Sequence, residues 1–130
     1  MKKTDEEWRA QLTPTEFEVC RKKGTEQAFS GAYWNAFDAG MYHCKCCGEA
    51  LFQSSSKFES ACGWPSFSAP DRDNVIDEHV DSSFGMARTE VTCANCGSHL
   101  GHVFDDGPQP SGLRYCINSV SIDLEKDVDD

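Results

Sequence analysis

The sequence predicts a single antiparallel β domain with helices at its N-terminus and a metal ion that joins two of its turns. From Gly31 onward, short runs of aromatic and β-branched residues are broken every few positions by Gly, Pro, Asn, Asp or Ser, which is typical of strands joined by turns. Two Cys-x-x-Cys pairs lie far apart in the chain. The 130 residues, 38% of them hydrophobic, are enough for one modest core.

Two capping boxes predict the N-terminal helices. Thr4-Asp5-Glu6-Glu7 and Thr13-Pro14-Thr15-Glu16 both place a threonine three residues before a glutamate, and the second adds proline at the first helical position. A helix from about Pro14 to Lys23 follows, with Gly24 just past its basic end. This helix places Phe17 and Cys20 on one face, so we expect Cys20 to be a small buried residue without chemistry.

Five strands are predicted from the apolar pattern: Met41 to His43, Met86 to Thr92, His99 to Phe104, Leu113 to Ile117 and Val120 to Leu124. The last of these alternates cleanly and should be half-buried. A bend or bulge near Asn118-Ser119 is needed between the last two strands, because a straight strand would put apolar residues on a polar face. The acidic tail from Glu125 to Asp130 has little to bury and is expected to fray.

The two cysteine pairs predict a closed metal site. Cys44 and Cys47 have the same spacing as Cys93 and Cys96, and the pairs are 49 positions apart. Two thiolates separated by two residues can share one ion across a tight turn, and four thiolates complete the tetrahedral shell of zinc. Zinc is inferred from the ligand type, and iron occasionally replaces it at thiolate sites. A closed site leaves no open position for substrate, so chemistry must lie elsewhere.

Charge and cysteine use exclude other classes of protein. The formal net charge is −10 and the pI is near 4.7. Most of this surface would repel nucleic acid, which binds by neutralised phosphates. The charged N-terminus is followed by no apolar run of signal-peptide or membrane-span length, so a cytoplasmic location is expected. In that setting eight cysteines favour metal binding and catalysis over disulfides.

Cys116 is the leading candidate for a nucleophile. Strand alternation places Arg114, Cys116 and Asn118 on one face, and a guanidinium beside a thiol favours the reactive thiolate. Taken alone this face is a weak signal, because a single strand cysteine is more often buried and inert. His99 and His102 follow the second cysteine pair and are either proton donors near Cys116 or structural histidines.

The string Cys62-Gly63-Trp64-Pro65-Ser66-Phe67 adds two further candidates. Trp64 offers a rigid apolar wall for a methyl-sized group, or else completes the core. Cys62 lies 54 positions before Cys116, and an oxidised thiol needs a second thiol to resolve it as a disulfide.

Six ordered motifs between about Leu12 and Leu124 resemble the B-type methionine sulfoxide reductases, the enzymes specific for the R epimer of methionine sulfoxide. The motifs are Tyr42-x-Cys44-x-x-Cys47-Gly48, Leu51-Phe52-x-Ser54-x-x-Lys57-Phe58, Cys62-Gly63-Trp64-Pro65-Ser66-Phe67, Cys93-x-x-Cys96, His99-Leu100-Gly101-His102-Val103-Phe104-x-Asp106-Gly107-Pro108 and Arg114-Tyr115-Cys116-Ile117-Asn118-Ser119. Gly24-Thr25-Glu26 extends the likeness. Together they are far more specific than a Cys-x-x-Cys pair.

The resemblance implies a mainly β fold of two antiparallel sheets with short N-terminal helices, stapled by one structural zinc ion on Cys44, Cys47, Cys93 and Cys96. One domain over residues 1–130 is expected, with a catalytic core of about 12–124. The resemblance also implies thioredoxin as reductant and methionine sulfoxide in oxidised proteins as substrate. A monomer is the default expectation.

Site roles follow from the same resemblance. Cys116 would be the nucleophile, Cys62 the resolving cysteine, and Trp64 the wall for the substrate methyl group. The sulfoxide oxygen and its protonation would fall to His99, His102 and Asn118, while Arg114 would hold Cys116 in its reactive state.

The chain departs from the family pattern at two positions. Ala61 stands where a glycine commonly precedes Cys62, which would stiffen that loop. Cys46 is an extra thiol inside the first pair and is expected to be a spectator. The alternative from another class is a zinc module without enzymatic activity that uses Trp64 to hold a partner protein.

Overall fold

The computed structural model describes residues 4–22, 24–59, 62–72, 74–82, 88–109 and 111–126. Within these ranges two short helices, α1 (Asp5–Gln11) and α2 (Pro14–Lys22), precede a series of strands. The strands are β1 (Gly40–Cys44), β2 (Ala50–Gln53), β3 (Lys57–Phe58), β4 (Ser66–Phe67), β5 (Ile76–Asp81), β6 (Arg88–Cys93), β7 (His99–Phe104), β8 (Arg114–Ile117) and β9 (Ile122–Lys126). Single 3₁₀ turns lie at Ser54–Ser56 and Ser119–Ser121.

Both predicted capping boxes form. The Thr4 hydroxyl accepts from the Glu7 amide while the Glu7 carboxylate accepts from the Thr4 amide, and Thr13 and Glu16 exchange the same two bonds. Each box satisfies two backbone groups that a helix start would leave without partners. The predicted end of the second helix, Lys23, lies outside the described residues. No helix in the described ranges is long and apolar enough to cross a membrane.

The strands form two antiparallel sheets, as the sequence and the resemblance predict. The smaller sheet has the order β2-β1-β9, and the larger has the order β3-β4-β8-β7-β6-β5. Every pair in both sheets is antiparallel. The chain therefore leaves the small sheet after β2, completes the large sheet, and returns to the small sheet with β9.

An aromatic cluster joins the two sheets. Tyr42 of β1 and Phe52 of β2 pack on Phe67 of β4, with Phe52 stacked on Phe67 at 4.4 Å between ring centres and Tyr42 edge-on at 5.1 Å. All three rings are inaccessible to solvent, and Tyr115 of β8 packs beside Phe52. Burying a ring of this size contributes about 1.5–3 kcal/mol. This cluster fixes β4 and β8, which hold the candidate site.

The predicted bend between the last two strands is present, and it shortens the last strand at its start. The Ser121 amide donates to the Asn118 carbonyl at 3.0 Å, closing a 3₁₀ turn that includes Val120. The strand predicted to begin at Val120 therefore begins at Ile122. The prediction from the alternating pattern was wrong at this point, because Val120 belongs to the turn that carries it away from the polar face and not to the strand.

The strand also runs further than predicted. Glu125 and Lys126, expected to fray, pair in β9 with Met41 and Gly40 of β1. Backbone hydrogen bonds to β1 hold these two residues although their side chains bury little. The rest of the predicted tail, residues 127–130, lies outside the described residues, as does Met86, the predicted start of the strand that is described from Arg88.

Candidate active site and metal centre

The four predicted ligand cysteines converge at one place. The sulfur atoms of Cys44, Cys47, Cys93 and Cys96 all lie within 4.8 Å of one another. The Cys44 and Cys96 sulfurs are 3.6 Å apart, as are those of Cys47 and Cys93. A tetrahedron of zinc–sulfur bonds has edges of about 3.8 Å, so these sulfurs fit around one metal ion. The cluster can hold a metal and leaves no ligand position for substrate.

Two turns of the same shape present the sulfurs. Cys44 is the last residue of β1 and Cys93 is the last residue of β6. The amides of Gly48 and Gly97 donate back to the carbonyls of Cys44 and Cys93 at 2.9 and 2.8 Å, with φ near +80° at both glycines. That backbone angle is strained for a residue with a Cβ, which explains the glycine after each pair. A bound metal would thus join the two sheets.

The N-terminal helices brace these turns. Gln11 of α1 donates to the Cys46 carbonyl at 2.8 Å, and Arg21 of α2 donates to the Cys96 carbonyl at 3.2 Å. The Arg21 guanidinium also lies over the buried Trp8 ring, 4.5 Å from its centre. Cys46 itself is buried but is not one of the four clustered sulfurs.

Cys116 and Cys62 lie side by side. Cys116 on β8 stands opposite Ser66 on β4, and Cys62 belongs to the loop that enters β4. Their sulfur atoms are 3.8 Å apart, and the Cys62 sulfur is 3.4 Å from the Ser66 hydroxyl. A disulfide has an S–S distance of about 2.05 Å, so a further approach of about 1.8 Å would join them. The structure brings together the two cysteines that the sequence analysis considered as nucleophile and second thiol.

The charge state of Cys116 is set by opposing effects. Burial raises the pKa of the Cys116 thiol to about 12, and the neighbouring Cys62 adds to the increase. The Arg114 guanidinium acts in the opposite direction and lowers the same pKa. Arg114 therefore acts in favour of the thiolate, but in this structure burial outweighs it.

Arg114 is itself held in place. Its guanidinium makes two hydrogen bonds to the Asp106 carboxylate, at 2.9 and 3.2 Å, and lies 4.6 Å from the centre of the Phe104 ring. These bonds raise the pKa of Arg114 and lower the pKa of Asp106. A paired, stacked guanidinium keeps a fixed direction beside Cys116.

A cavity of about 90 Å³ opens beside the Cys116 sulfur. This volume is close to that of three water molecules, so it suits one small group rather than a whole side chain. It is lined by Thr25, Trp64, Arg88, Gly101, His102, Phe104, Cys116 and Asn118.

Trp64 and Asn118 are fixed in this cavity by one N-terminal residue. The Trp64 indole donates to the Glu26 carbonyl at 3.0 Å, and the Glu26 amide donates to the Asn118 side-chain oxygen at 3.0 Å. The Asn118 side-chain nitrogen donates to the Leu100 carbonyl at 3.0 Å. The indole wall and the amide therefore have little freedom to turn.

The two predicted histidines occupy different positions. His102 lines the cavity, and its Nε2 is 2.8 Å from the Asp81 carboxylate. His99 is 3% exposed, and its Nδ1 is 2.8 Å from the Glu90 carboxylate. The two rings meet edge to face at 5.6 Å between centres. His102 is thus the histidine that lies next to Cys116, and His99, which is not among the cavity-lining residues, contacts the His102 ring.

Sequence reasoning missed Thr25, Arg88 and Phe104 as lining residues. Phe104 could have been found, because it follows His102 by two positions on one strand and so shares its face. Thr25 and Arg88 could not, since sheet register and loop packing bring them to the cavity. Gly101 also has a spacing role: an added Cβ would lie 1.9 Å from the Cys116 carbonyl, so only glycine allows β7 this close to β8.

Known proteins are similar to this chain over most of its length. A family model described as the SelR domain matches residues 12–126. The chain is 57% identical over 123 residues to a peptide methionine sulfoxide reductase MsrB of Acinetobacter baumannii, covering 95% of this chain and 88% of that protein. It is 55% identical over 127 residues to the MsrB of Acinetobacter baylyi, covering 98% and 91%. For the MsrB of Cellvibrio japonicus the identity is 56% over 120 residues, covering 92% and 86%.

The fold and site define a small β domain with a cluster of four cysteines that can hold a metal ion and a separate pair of adjacent thiols. The match covers most of the chain, and the chain belongs to the SelR domain family. The family resemblance inferred from the six sequence motifs is therefore confirmed.

Proposed function

We propose that this protein reduces the R epimer of methionine sulfoxide in oxidised proteins to methionine. The observation that carries the proposal is the 3.8 Å separation of the Cys62 and Cys116 sulfurs beside a small cavity walled by an indole. A buried nucleophile with a second thiol in reach suits reduction through a sulfenic acid and a disulfide. The names of the bacterial relatives point to the same substrate.

The reaction begins at Cys116. Its sulfur, as thiolate, attacks the sulfoxide sulfur, the sulfur–oxygen bond breaks, and the oxygen takes up a proton. That oxygen ends on the Cys116 sulfur as a hydroxyl while the transient bond between the two sulfur atoms breaks, so methionine leaves and Cys116 becomes a sulfenic acid. Cys62 then attacks the Cys116 sulfur, which forms the Cys62–Cys116 disulfide and releases water. An external dithiol reduces this disulfide, so the net products are methionine, water and an oxidised dithiol.

Three cavity residues prepare the first step. The Trp64 indole packs against the substrate methyl group, because it is the rigid apolar wall of a cavity of methyl sulfoxide size. His102 gives the proton to the departing oxygen, since it lines the cavity with Cys116. Asn118 fixes the sulfoxide oxygen through its side-chain amide. The Arg114 guanidinium, held by Asp106, offsets the charge of the thiolate during attack.

We assign zinc to the four-cysteine centre. Four thiolates at tetrahedral spacing are the preferred donors of this ion, which when bound supplies a structural crosslink and no redox chemistry. Cys44, Cys47, Cys93 and Cys96 would hold it. The reaction itself uses only Cys116, Cys62 and the cavity residues.

The proposal extends to the reductant, the cellular compartment and the organisation of the chain. We propose thioredoxin as the dithiol reductant, because the Cys62–Cys116 disulfide must be opened by an attacking thiolate in every cycle. A reducing compartment, the cytoplasm, suits a chain whose cysteines serve a metal and a catalytic pair. We propose that residues 1–130 act as a single domain with its core at about 12–124, and as a monomer.

The decisive experiment compares both epimers. Purified protein is given R or S methionine sulfoxide in a peptide, with dithiothreitol as reductant, and methionine is counted. We expect turnover of the R epimer alone, and none by the Cys116→Ser variant even in a single turnover. Turnover by Cys116→Ser would refute the nucleophile, and turnover of neither epimer would favour a zinc module that only binds a partner.

A further inference from the structure

An Asp81 carboxylate stands directly behind the cavity histidine. Asp81 is the last residue of β5 and lies opposite Arg88 at the start of β6. On the next strand, β7, His102 reaches back across β6 so that its Nε2 is 2.8 Å from an Asp81 oxygen. The same carboxylate oxygen accepts a second bond from the Arg88 guanidinium at 3.4 Å. Arg88 and His102 both line the cavity beside Cys116.

We propose that Asp81 is a positioning residue for the proton transfer, acting through His102. The proposal rests on the proposed reductase reaction and assigns a further residue to it. An ionised carboxylate only accepts hydrogen bonds, so the His102 Nε2 that faces it bears the hydrogen. The other ring nitrogen, Nδ1, is then the one that delivers a proton to the sulfoxide oxygen and is left without it afterwards.

The carboxylate also matches the charge that the reaction requires. His102 can donate from Nδ1 only as an imidazolium, and a carboxylate in contact offsets that positive charge without itself taking the proton. Most of both side chains is buried, with 11% of His102 and 22% of Asp81 exposed, so water screens the pair only weakly.

Arg88 keeps the carboxylate in position. Its guanidinium donates to the same carboxylate oxygen that contacts His102, so two hydrogen bonds fix the position of the Asp81 carboxylate. A fixed acceptor holds the imidazole ring in one orientation toward the cavity. The deeper pair, Glu90 with His99, has the same chemistry, but neither residue is among those that line the cavity. The reacting proton therefore comes from His102, whose ring the Asp81 carboxylate holds.

The test measures the first chemical step alone. Asp81→Asn keeps the shape of the side chain and removes its charge, while His102→Gln removes the proton donor. The matched control is Asp77→Asn, which makes the same change at an exposed position of the same strand. Methionine formed from R sulfoxide is followed in single turnover, together with kcat and KM and the rate at which iodoacetamide alkylates Cys116.

We expect Asp81→Asn to lower the single-turnover rate and kcat by about 10- to 100-fold, and His102→Gln by about 10²- to 10⁴-fold. KM and Cys116 alkylation should stay within about twofold of wild type, because the cavity and the nucleophile are intact. The Asp81→Asn/His102→Gln double variant should be no slower than His102→Gln, since Asp81 acts only through the His102 ring. Asp77→Asn should match wild type.

Three results would overturn the proposal. The first is an Asp81→Asn rate equal to that of Asp77→Asn, and the second is losses that multiply in the Asp81→Asn/His102→Gln double variant. The third needs no variant: nitrogen NMR of wild-type protein in which the neutral His102 ring bears its hydrogen on Nδ1. A wild-type protein that turns over no R sulfoxide would instead refute the reductase function itself, so the two failures are distinguishable.

Discussion

Cys47 offers the sharpest test of the metal centre, because it is the half-exposed member of the four clustered sulfurs and is next to a cysteine outside the cluster. Cys47→Ser removes one ligand, and Cys46→Ser makes the same chemical change one position away. Cys46 is buried, so its replacement controls for the loss of a packed sulfur. Both substitutions leave Cys116 and Cys62 untouched.

The expected loss of stability follows from the ligand count. Structural zinc contributes about 10–16 kcal/mol in small domains, so one of four ligands accounts for roughly 3 kcal/mol. A chain of this length has an unfolding entropy of about 0.27 kcal/mol/K, so the melting temperature of Cys47→Ser should fall by about 11 °C. Cys46→Ser should cost about 1 kcal/mol, or about 4 °C.

The assay combines calorimetry with metal analysis by mass spectrometry. Wild type and Cys46→Ser should contain about one zinc per chain, and Cys47→Ser should lose it to a mild chelator. The reasoning is wrong if Cys47→Ser keeps its metal and melts within a few degrees of wild type. The Cys46→Ser/Cys47→Ser double variant then shows whether Cys46 has replaced the missing ligand.

Two further predictions concern the active site. Cys62→Ala should lower the pKa of Cys116, and Arg114→Met should raise it, because Cys62 raises and Arg114 lowers that pKa in the structure. At about pH 9, below the wild-type value, alkylation of Cys116 should then be faster in the first variant and slower in the second; shifts in one common direction would contradict this. Trp64→Phe loses the hydrogen bond from the indole to the Glu26 carbonyl and should raise KM for the R sulfoxide about 2- to 10-fold. The control is Trp34→Phe, at a tryptophan that is not among the cavity-lining residues, and it should leave KM unchanged. Equal KM values for the two variants would remove Trp64 from the substrate site.

The four-cysteine cluster could be predicted from sequence because its spacing is local. Two thiols separated by two residues can meet one ion on any tight turn, so the Cys44/Cys47 and Cys93/Cys96 pairs needed no knowledge of the sheets. The capping boxes were equally local. The predicted start of the last strand at Val120 was wrong because an alternating pattern does not reveal a turn. The 3₁₀ turn closed by the Asn118 carbonyl includes Val120 and Ser121, so the strand begins after them.

The positions around Cys116 depended on long-range pairing. Arg88 reaches the cavity, and Asp81 reaches His102, because β5, β6 and β7 are neighbours in one register, which no spacing in the sequence reveals. The balance of charge at Cys116 was likewise beyond sequence reasoning. The nearby Arg114 was apparent from alternation, whereas the burial that outweighs it comes from the packed sheet.

In the proposed cycle the substrate oxidises Cys116, and Cys62, whose sulfur is 3.8 Å away, then forms a disulfide with it. Peptide mapping by mass spectrometry, after one turnover of R methionine sulfoxide without reductant, tests this cycle directly. We expect one methionine per chain, the loss of two free thiols, and a single disulfide that joins Cys62 to Cys116; Cys62→Ala should still form one methionine but no such bond. Methionine formed with all thiols intact, or a disulfide that includes Cys20 or Cys46, would contradict it.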